Sequence, residues 1–281
     1  MADDLIPADV RARLKGLVLV SRRAIGGHGL GLHSSRSRGA GLEFAQYRAY
    51  ERGDELRQVD WKLYARSDKF FVREAERESP LALWIVVDGS ASMAQRLGAT
   101  KALAACLAEL AIAGGDRFAL IGLSEAGLAL VPPGTGARQR DRLLLALHTL
   151  SPAGGFPAES TLAPLWERIG QRDLVVVISD WFDPAVTASA SKLAAAGREV
   201  LGIQLLTTEE RDFPFDGGHR FRDPETGEEL IADAPAMRAD YLARFGAARA
   251  ALRAELENAG VTHVEHVLDR PLDAPLRALF R

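Results

Sequence analysis

From residue 81 onward the apolar positions alternate between two rhythms. Leu81–Val87 is an unbroken apolar run with β-branched members, and Asp173–Ser179, built around Val175-Val-Val-Ile178, is another. Such runs are expected of parallel strands covered on both faces. Ala91–Ala113, rich in Ala and Leu and closed by Gly114-Gly115, predicts a helix. Arg117–Leu123 and Ala126–Val131 predict two strands joined by a short turn, and Gln139–Leu150 and Leu162–Ile169 predict helices. Pro184–Ala196 follows as a helix ended by Gly197, then Glu199–Leu206 as a strand. Phe221–Ile231 has turn residues at its centre and predicts a hairpin. A long helix over Pro235–Asn258, a strand over Thr262–Val267 and a helix over Leu272–Phe280 complete the pattern. Strands alternating with helices imply an α/β fold: a doubly wound, mostly parallel sheet with helices on both faces.

The segment before residue 81 has a different character. Between residues 11 and 50 the cations are Arg11, Arg13, Lys15, Arg22, Arg23, Arg36, Arg38 and Arg48, against the single carboxylate Glu43. Pro80 then precedes the first buried strand, so the chain divides into an N-terminal extension, 1–80, and an α/β domain, 81–281. Hydrophobic residues at 47% and charged residues at 26% suit a soluble globular protein. A net charge of -3 supplies no global field toward nucleic acid, and few aromatics interleave the early arginines. One cysteine, Cys106, can build neither a disulfide framework nor a Cys-based zinc site, and its Ala/Leu surroundings predict a core position. The acidic start Met-Ala-Asp-Asp does not read as a secretory signal. The longest strongly apolar run, 81–87, falls well short of the roughly 20 residues of a membrane span. The expectation is a cytoplasmic protein with no membrane span.

In open α/β sheets ligands bind outside the carboxyl ends of the strands, near a topological switch point. The first buried strand is followed by Asp88-Gly89-Ser90-Ala91-Ser92-Met93, and the strand at 173–179 by Asp180-Trp-Phe-Asp183. Between them Gly154-Gly-Phe-Pro-Ala-Glu159-Ser160-Thr161 leads into a helix. Carboxylates and hydroxyls without thiolates are hard oxygen donors, suited to Mg²⁺, Mn²⁺ or Ca²⁺. Two serines one residue apart can ligate directly while the carboxylates act through water. An open coordination position would accept a carboxylate from a partner. The bland alternative is that Asp88 or Ser90 caps the following helix.

Other candidate motifs fail on their own chemistry. Val131-Pro-Pro-Gly-Thr-Gly136-Ala137-Arg138 imitates an ATP-binding loop but lacks its first Gly and its Lys-Ser/Thr ending, so it is expected to be a loop between strand and helix. Gly26–Gly31 has no apolar strand before it, against a dinucleotide fold. His263 and His266, three apart on a strand, face opposite sides and share no metal. Ser90 lacks the Gly-x-Ser-x-Gly of a nucleophile elbow.

Asp88, Ser90 and Ser92 resemble the first motif, Asp-x-Ser-x-Ser, of the metal-ion-dependent adhesion site (MIDAS) of von Willebrand factor A domains. Asp180 matches that family's third motif, and Ser160 or Thr161 stands for the second, a threonine in a Gly-rich loop. Upstream, Gly39-Ala-Gly-Leu-Glu-Phe44, the string from Arg48 through Tyr50, Gly53-Asp54, Arg57 and Asp60-Trp61 to Arg66, and Phe71-Val-Arg-Glu74 resemble the signature of the bacterial family called domain of unknown function 58. That string reads either as ion pairs and a stacked Trp fixing a sheet extension, or as a docking surface. The resemblance spans about residues 25 to 270 and is to the shorter type without preceding membrane helices. It implies a von Willebrand factor A-like, Rossmann-type fold with an N-terminal β-containing extension. It also implies a Mg²⁺ (or Mn²⁺ or Ca²⁺) site formed by Asp88, Ser90, Ser92, Ser160 or Thr161, and Asp180. The implied role is an adaptor beside a MoxR-type AAA+ ATPase, acting on that ATPase or its client.

The expectation is a non-enzymatic, metal-dependent interaction module. Its rivals are a metal-assisted hydrolase, with Glu159 or Asp183 as base, and a structural fold whose metal site has degenerated.

Overall fold

The computed structural model describes residues 5–19, 44–49, 59, 61–75, 82–125 and 127–280. In chain order the first elements are α1 (Ala8–Arg13), β1 (Phe44–Ala49), α2 (Trp61–Ser67), β2 (Phe71–Ala75) and β3 (Ala82–Asp88). A 3₁₀ turn, Ala91–Arg96, leads into α3 (Leu97–Gly114), β4 (Arg117–Ser124), β5 (Gly127–Gly134), α4 (Gly136–Thr149) and α5 (Glu159–Trp166). Then come β6 (Leu174–Ser179), α6 (Pro184–Ala195), β7 (Glu199–Leu206), α7 (Thr208–Asp212), β8 (Gly218–Arg222), β9 (Glu229–Asp233), α8 (Ala234–Asn258), β10 (Thr262–Val267) and α9 (Ala274–Leu279).

The main sheet has the strand order β10-β7-β6-β3-β4-β5. Its pairings are parallel except β4–β5 at the edge. The doubly wound architecture expected from the alternating pattern is present. The two central strands, β3 and β6, are apolar up to their last residues, Asp88 and Ser179, because each face is covered. Leu83, Ile85 and Val87 enter one core with α3, α4 and α9, while Ala82, Trp84 and Val86 enter the other with α5 and α6. Fully burying a Leu- or Ile-sized side chain stabilises by about 1.5–3 kcal/mol, so these central strands anchor the fold.

Residues 5–19 belong with the unit that holds this sheet, whereas β1, α2 and β2 lie in a second unit. The charge pattern groups all of 1–80 together; burial divides them. Ile6, Val10 and Leu14 recur every four residues, form one helical stripe and enter the core beside α9 together with Leu19. Arg13 Nε donates to Asp273 Oδ1 at 2.6 Å. In the second unit β1 and β2 pair antiparallel. Gly26–Gly31, most of the early arginines, Gly39–Gly41 and most of the string from Arg48 to Asp60 lie outside the described residues.

Several boundaries move. The helix expected at 91 begins as a 3₁₀ turn and becomes α-helical at Leu97. Residues 91–114 are together long and apolar enough to cross a membrane by composition. Their apolar side chains, Leu103 and Leu107 among them, are instead spent in the core. The segment 131–138, expected as a loop, carries β5 through Pro132-Pro133 and opens α4 at Gly136. Gln139 Nε2 locks it by donating to the carbonyls of Phe118 and Pro132 at 2.9 and 2.7 Å. α5 starts at Glu159, three residues before the expected start, so Ser160 and Thr161 lie inside its first turn. α7, which the pattern did not predict, is capped at its N-terminus by a reciprocal Thr207–Glu210 box.

Candidate metal centre

The chain runs from β3 to β4 on one side and returns through α4 and α5 to β6 on the other, so the switch point lies between β3 and β6. Their register pairs Val87 with Ile178, which sets Asp88 beside Ser179 and brings Asp180 to the same rim. Ser179 Oγ donates to Asp88 Oδ2 at 2.6 Å, and the Ser90 backbone N–H donates to Asp88 Oδ1 at 2.9 Å. Ser90 is the N-cap of the 3₁₀ turn, yet its side chain makes no capping bond. The two hydroxyls, Ser90 Oγ and Ser92 Oγ, stand 3.0 Å apart. Asp88, Ser90 and Asp180 are each 2% exposed. The structure therefore brings Asp88, Ser90, Ser92 and Asp180 together.

Gly89 makes this loop possible. A Cβ there would lie 2.9 Å from the Leu123 carbonyl oxygen, so the backbone can approach β4 only without a side chain. The Gly-rich loop is stitched on from the other side: Ala91 N donates to Gly154 O at 2.8 Å and Ala153 N to Gly89 O at 3.0 Å. Ser160 and Thr161, further along, are exposed on α5. Among the described contacts neither hydroxyl bonds to Asp88, Ser90, Ser92 or Asp180, and the choice between them stays open.

Asp180 is held by its backbone more than by its carboxylate. Its carbonyl accepts from Gln204 Nε2 at 2.8 Å, and its Oδ1 accepts from Phe182 N at 3.1 Å. Its Oδ2 is buried with no hydrogen-bond partner. The closest cation is Arg96, whose Nη1 lies 3.6 Å away. That guanidinium, 3% exposed, is also bound to Ser92 O at 2.6 Å, to Leu205 O at 2.9 Å and to Glu210. It braces the floor of the site and is shared between two carboxylates. Asp88 has no cation among its described partners. Burial pushes its carboxyl above the usual range, the bonds from Ser179 and Ser90 oppose this, and nearby Asp180 adds to it.

Sequence reasoning missed Arg96, Ser179, Glu210 and Glu225. Arg96 could be suspected as a charge inside an apolar helix pattern, and Glu210 from its Thr-x-x-Glu box. Glu225, on the β8–β9 turn, reaches the Gly-rich loop, its Oε2 lying 3.9 Å from where a Cβ on Gly155 would stand, and no local signal announces it. The two candidate bases have structural partners: Glu159 pairs with Lys192, and Asp183 caps α6 through Ala185 N at 2.8 Å. Among the described residues no three His, Cys, Asp or Glu side chains cluster as a metal site; the candidate donor set instead mixes carboxylates with hydroxyls. Cys106 is buried, as expected. His263 packs edge-on against Trp181, while His266 lies near Asp269, Arg270 and Asp273.

A family model described as "Protein of unknown function DUF58" matches residues 46–251. The uncharacterized protein Rv1480 of Mycobacterium tuberculosis is 28% identical over 278 residues, covering 95% of this chain and 87% of the relative. Among solved structures, the conserved hypothetical protein BatB from Bacteroides thetaiotaomicron is 15% identical with a TM-score of 0.41, over 71% of this chain and 95% of BatB. The SpRpn10 VWA domain is 13% identical with a TM-score of 0.41, over 71% of this chain and 94% of that domain.

Proposed function

This chain belongs to the family described as protein of unknown function DUF58, and from that premise we propose that its β3–β6 cleft holds a divalent cation that grips a carboxylate on a partner protein. The observation that carries the reading is Asp180 Oδ2, a buried carboxylate oxygen with no hydrogen-bond partner. A buried acceptor left unmet is costly, and a cation reached directly or through water would satisfy it. The residues fit such an ion. Asp88 and Asp180 supply charge, and the paired Ser90 and Ser92 hydroxyls supply neutral oxygens. Ser160 or Thr161 would complete the set by turning in from α5.

Oxygen donors of this kind favour Mg²⁺, which keeps several waters and takes few protein ligands, with Mn²⁺ or Ca²⁺ as substitutes. Bound there, the ion would offer Lewis acidity to an incoming carboxylate. The protein's own residues orient the hydroxyls, hold Asp88 through Ser179 and brace Ser92 through Arg96. The engagement of Glu159 by Lys192 and of Asp183 by α6 supports a binding role over catalysis. The partner proposed is a MoxR-type AAA+ ATPase or its client, in the cytoplasm; this part rests on the family resemblance alone.

One observation favours a second reading. Arg96 near Asp180 is a built-in counter-charge that a degenerate site would use in place of metal. Calorimetry separates the two. The first reading expects Mg²⁺ or Mn²⁺ binding heat that Asp88→Ala abolishes; a wild-type protein giving no heat would leave Arg96 as the site's permanent cation. Partner binding indifferent to chelator would remove the metal from the function.

A further inference from the structure

Arg96 is a cation that the β3–β6 cleft carries in its own chain, and its hydrogen bonds and its charge go to different groups. Nη1 donates to the Ser92 carbonyl at 2.6 Å, Nε donates to the Leu205 carbonyl at 2.9 Å, and Nη2 binds the Glu210 carboxylate. Asp180 receives none of these bonds. Its Oδ2 is ion-paired with Nη1 at 3.6 Å, by charge alone. The guanidinium also lies over the Phe182 ring, 5.5 Å from its centroid. Arg96 would therefore keep every hydrogen bond if Asp180 turned away, and Glu210 would still balance its charge.

Glu210 is fixed for that task. One carboxylate oxygen faces Arg96, the other accepts from Thr207 N at 2.8 Å, and its backbone carbonyl accepts from the Tyr241 hydroxyl at 3.1 Å. Leaving a buried charge without a partner is costly. Here Arg96 can partner Asp180 when no cation is bound and Glu210 alone when one is, so no buried charge is stranded in either state. We propose that Arg96 is a resident counter-charge that releases Asp180 to a bound cation, and that Glu210 sets the cation affinity through Arg96. Glu210 is a positioning residue, outside the donor set of Asp88, Ser90, Ser92 and Asp180. The inference rests on the metal reading above and makes Arg96 a displaceable partner of Asp180 rather than a permanent substitute for metal.

The test titrates the whole chain with Mn²⁺ by electron paramagnetic resonance. Glu210→Gln keeps the capping box but leaves Asp180 as the one carboxylate on Arg96. Mn²⁺ should then bind roughly 10-fold more weakly, the size of effect seen when an outer partner of a metal site is removed. Arg96→Gln removes the competitor for Asp180, so Mn²⁺ should bind several-fold more tightly. In the double variant the Glu210 substitution should add nothing, because it acts only through Arg96. A Glu210 effect of equal size in both backgrounds would reveal a direct field on the ion and overturn the inference. Unchanged affinity in Glu210→Gln, or no tightening in a folded Arg96→Gln, would overturn it as well; the metal reading would stand in each case. No Mn²⁺ binding by wild type would overturn both. If Arg96→Gln does not fold, side-chain nitrogen NMR of wild type decides. The slowly exchanging Arg Nε–H signal that Glu210→Gln moves should also shift at saturating Mg²⁺ and stay slowly exchanging. A signal that Mg²⁺ leaves unmoved would overturn the proposal.

Discussion

Asp180 has to end a buried strand and present its carboxylate within one residue, and Trp181 absorbs the turn. Trp181 takes a φ of 62°, in the left-handed region that bulky residues avoid. Its indole fixes this conformation: Nε1 donates to Ile203 O at 3.2 Å, and the ring is 3% exposed. The space for that ring exists because β7 carries Gly202, where a Cβ would approach Trp181 Cζ2 to 2.6 Å. Backbone strain beside a functional carboxylate persists only where the surroundings over-determine it. Gly202→Ala should therefore push the ring away, cost about 1–3 kcal/mol in urea unfolding and weaken Mn²⁺ binding along with stability. Unchanged stability would show that Trp181 relocates without consequence.

Among the elements, α1 shows how little local sequence governs what stays folded. Its six residues, Ala8–Arg13, are too few to be helical alone. It holds because Val10 and Leu14 lie in the core, while Asp273 binds both Arg13 and Arg277 near the start of α9. Leu14, 6% exposed, is a core residue outside the α/β region that the sequence pattern marks out. Leu14→Ala should cost about 2 kcal/mol, the low end for core truncations. It should also make residues 5–19 the first point of limited proteolysis. Proteolysis that starts elsewhere, with stability intact, would place α1 outside the cooperative unit. The β8–β9 hairpin is the contrasting element: its turn chemistry was legible in Asp223-Pro-Glu-Thr-Gly227, but the approach of Glu225 to Gly155 was not.

For the whole molecule, pH acts on stability through β10. Burial pushes His263 from the ordinary 6.5 down to about 4, and it lowers His266 in the same direction. His263 Nε2 is buried with no hydrogen-bond partner, and burial outweighs the attraction of Glu265 for its charged form. The unfolded chain then binds the proton more readily than the folded one. The neutral ring's contribution is complete above pH 6.5 and is lost as pH falls toward 4. At about 1.4 kcal/mol per unit, His263 should account for on the order of 2–3 kcal/mol over that range. Guanidinium unfolding at pH 7.5 and 4.5 should show the loss in wild type and a smaller one in His263→Gln. Equal losses would assign the pH dependence to other groups.

The sequence by itself determined the sheet and the strand ends. Unbroken apolar runs at 81–87 and 175–178 can be buried only between two helical layers, and whatever follows such strands must emerge at their carboxyl ends. That is why Asp88, Ser90, Ser92 and Asp180 were legible as one group. Tertiary structure decided the rest, because it depends on contacts between distant parts of the chain. Residues 5–19 join the main unit through side-chain burial that no charge pattern reveals. Arg96 pairs with Asp180 across 84 residues, and Glu225 nears Gly155 across 70, by subtraction of their positions. Whether Ser160 or Thr161 faces the site depends on the rotation of α5's first turn, a packing outcome with no period of its own. The Asp-x-Ser-x-Ser loop was written in the chain; the arginine that joins Ser92 to Asp180 came from folding, which alone brings charges so far apart in sequence into one cleft.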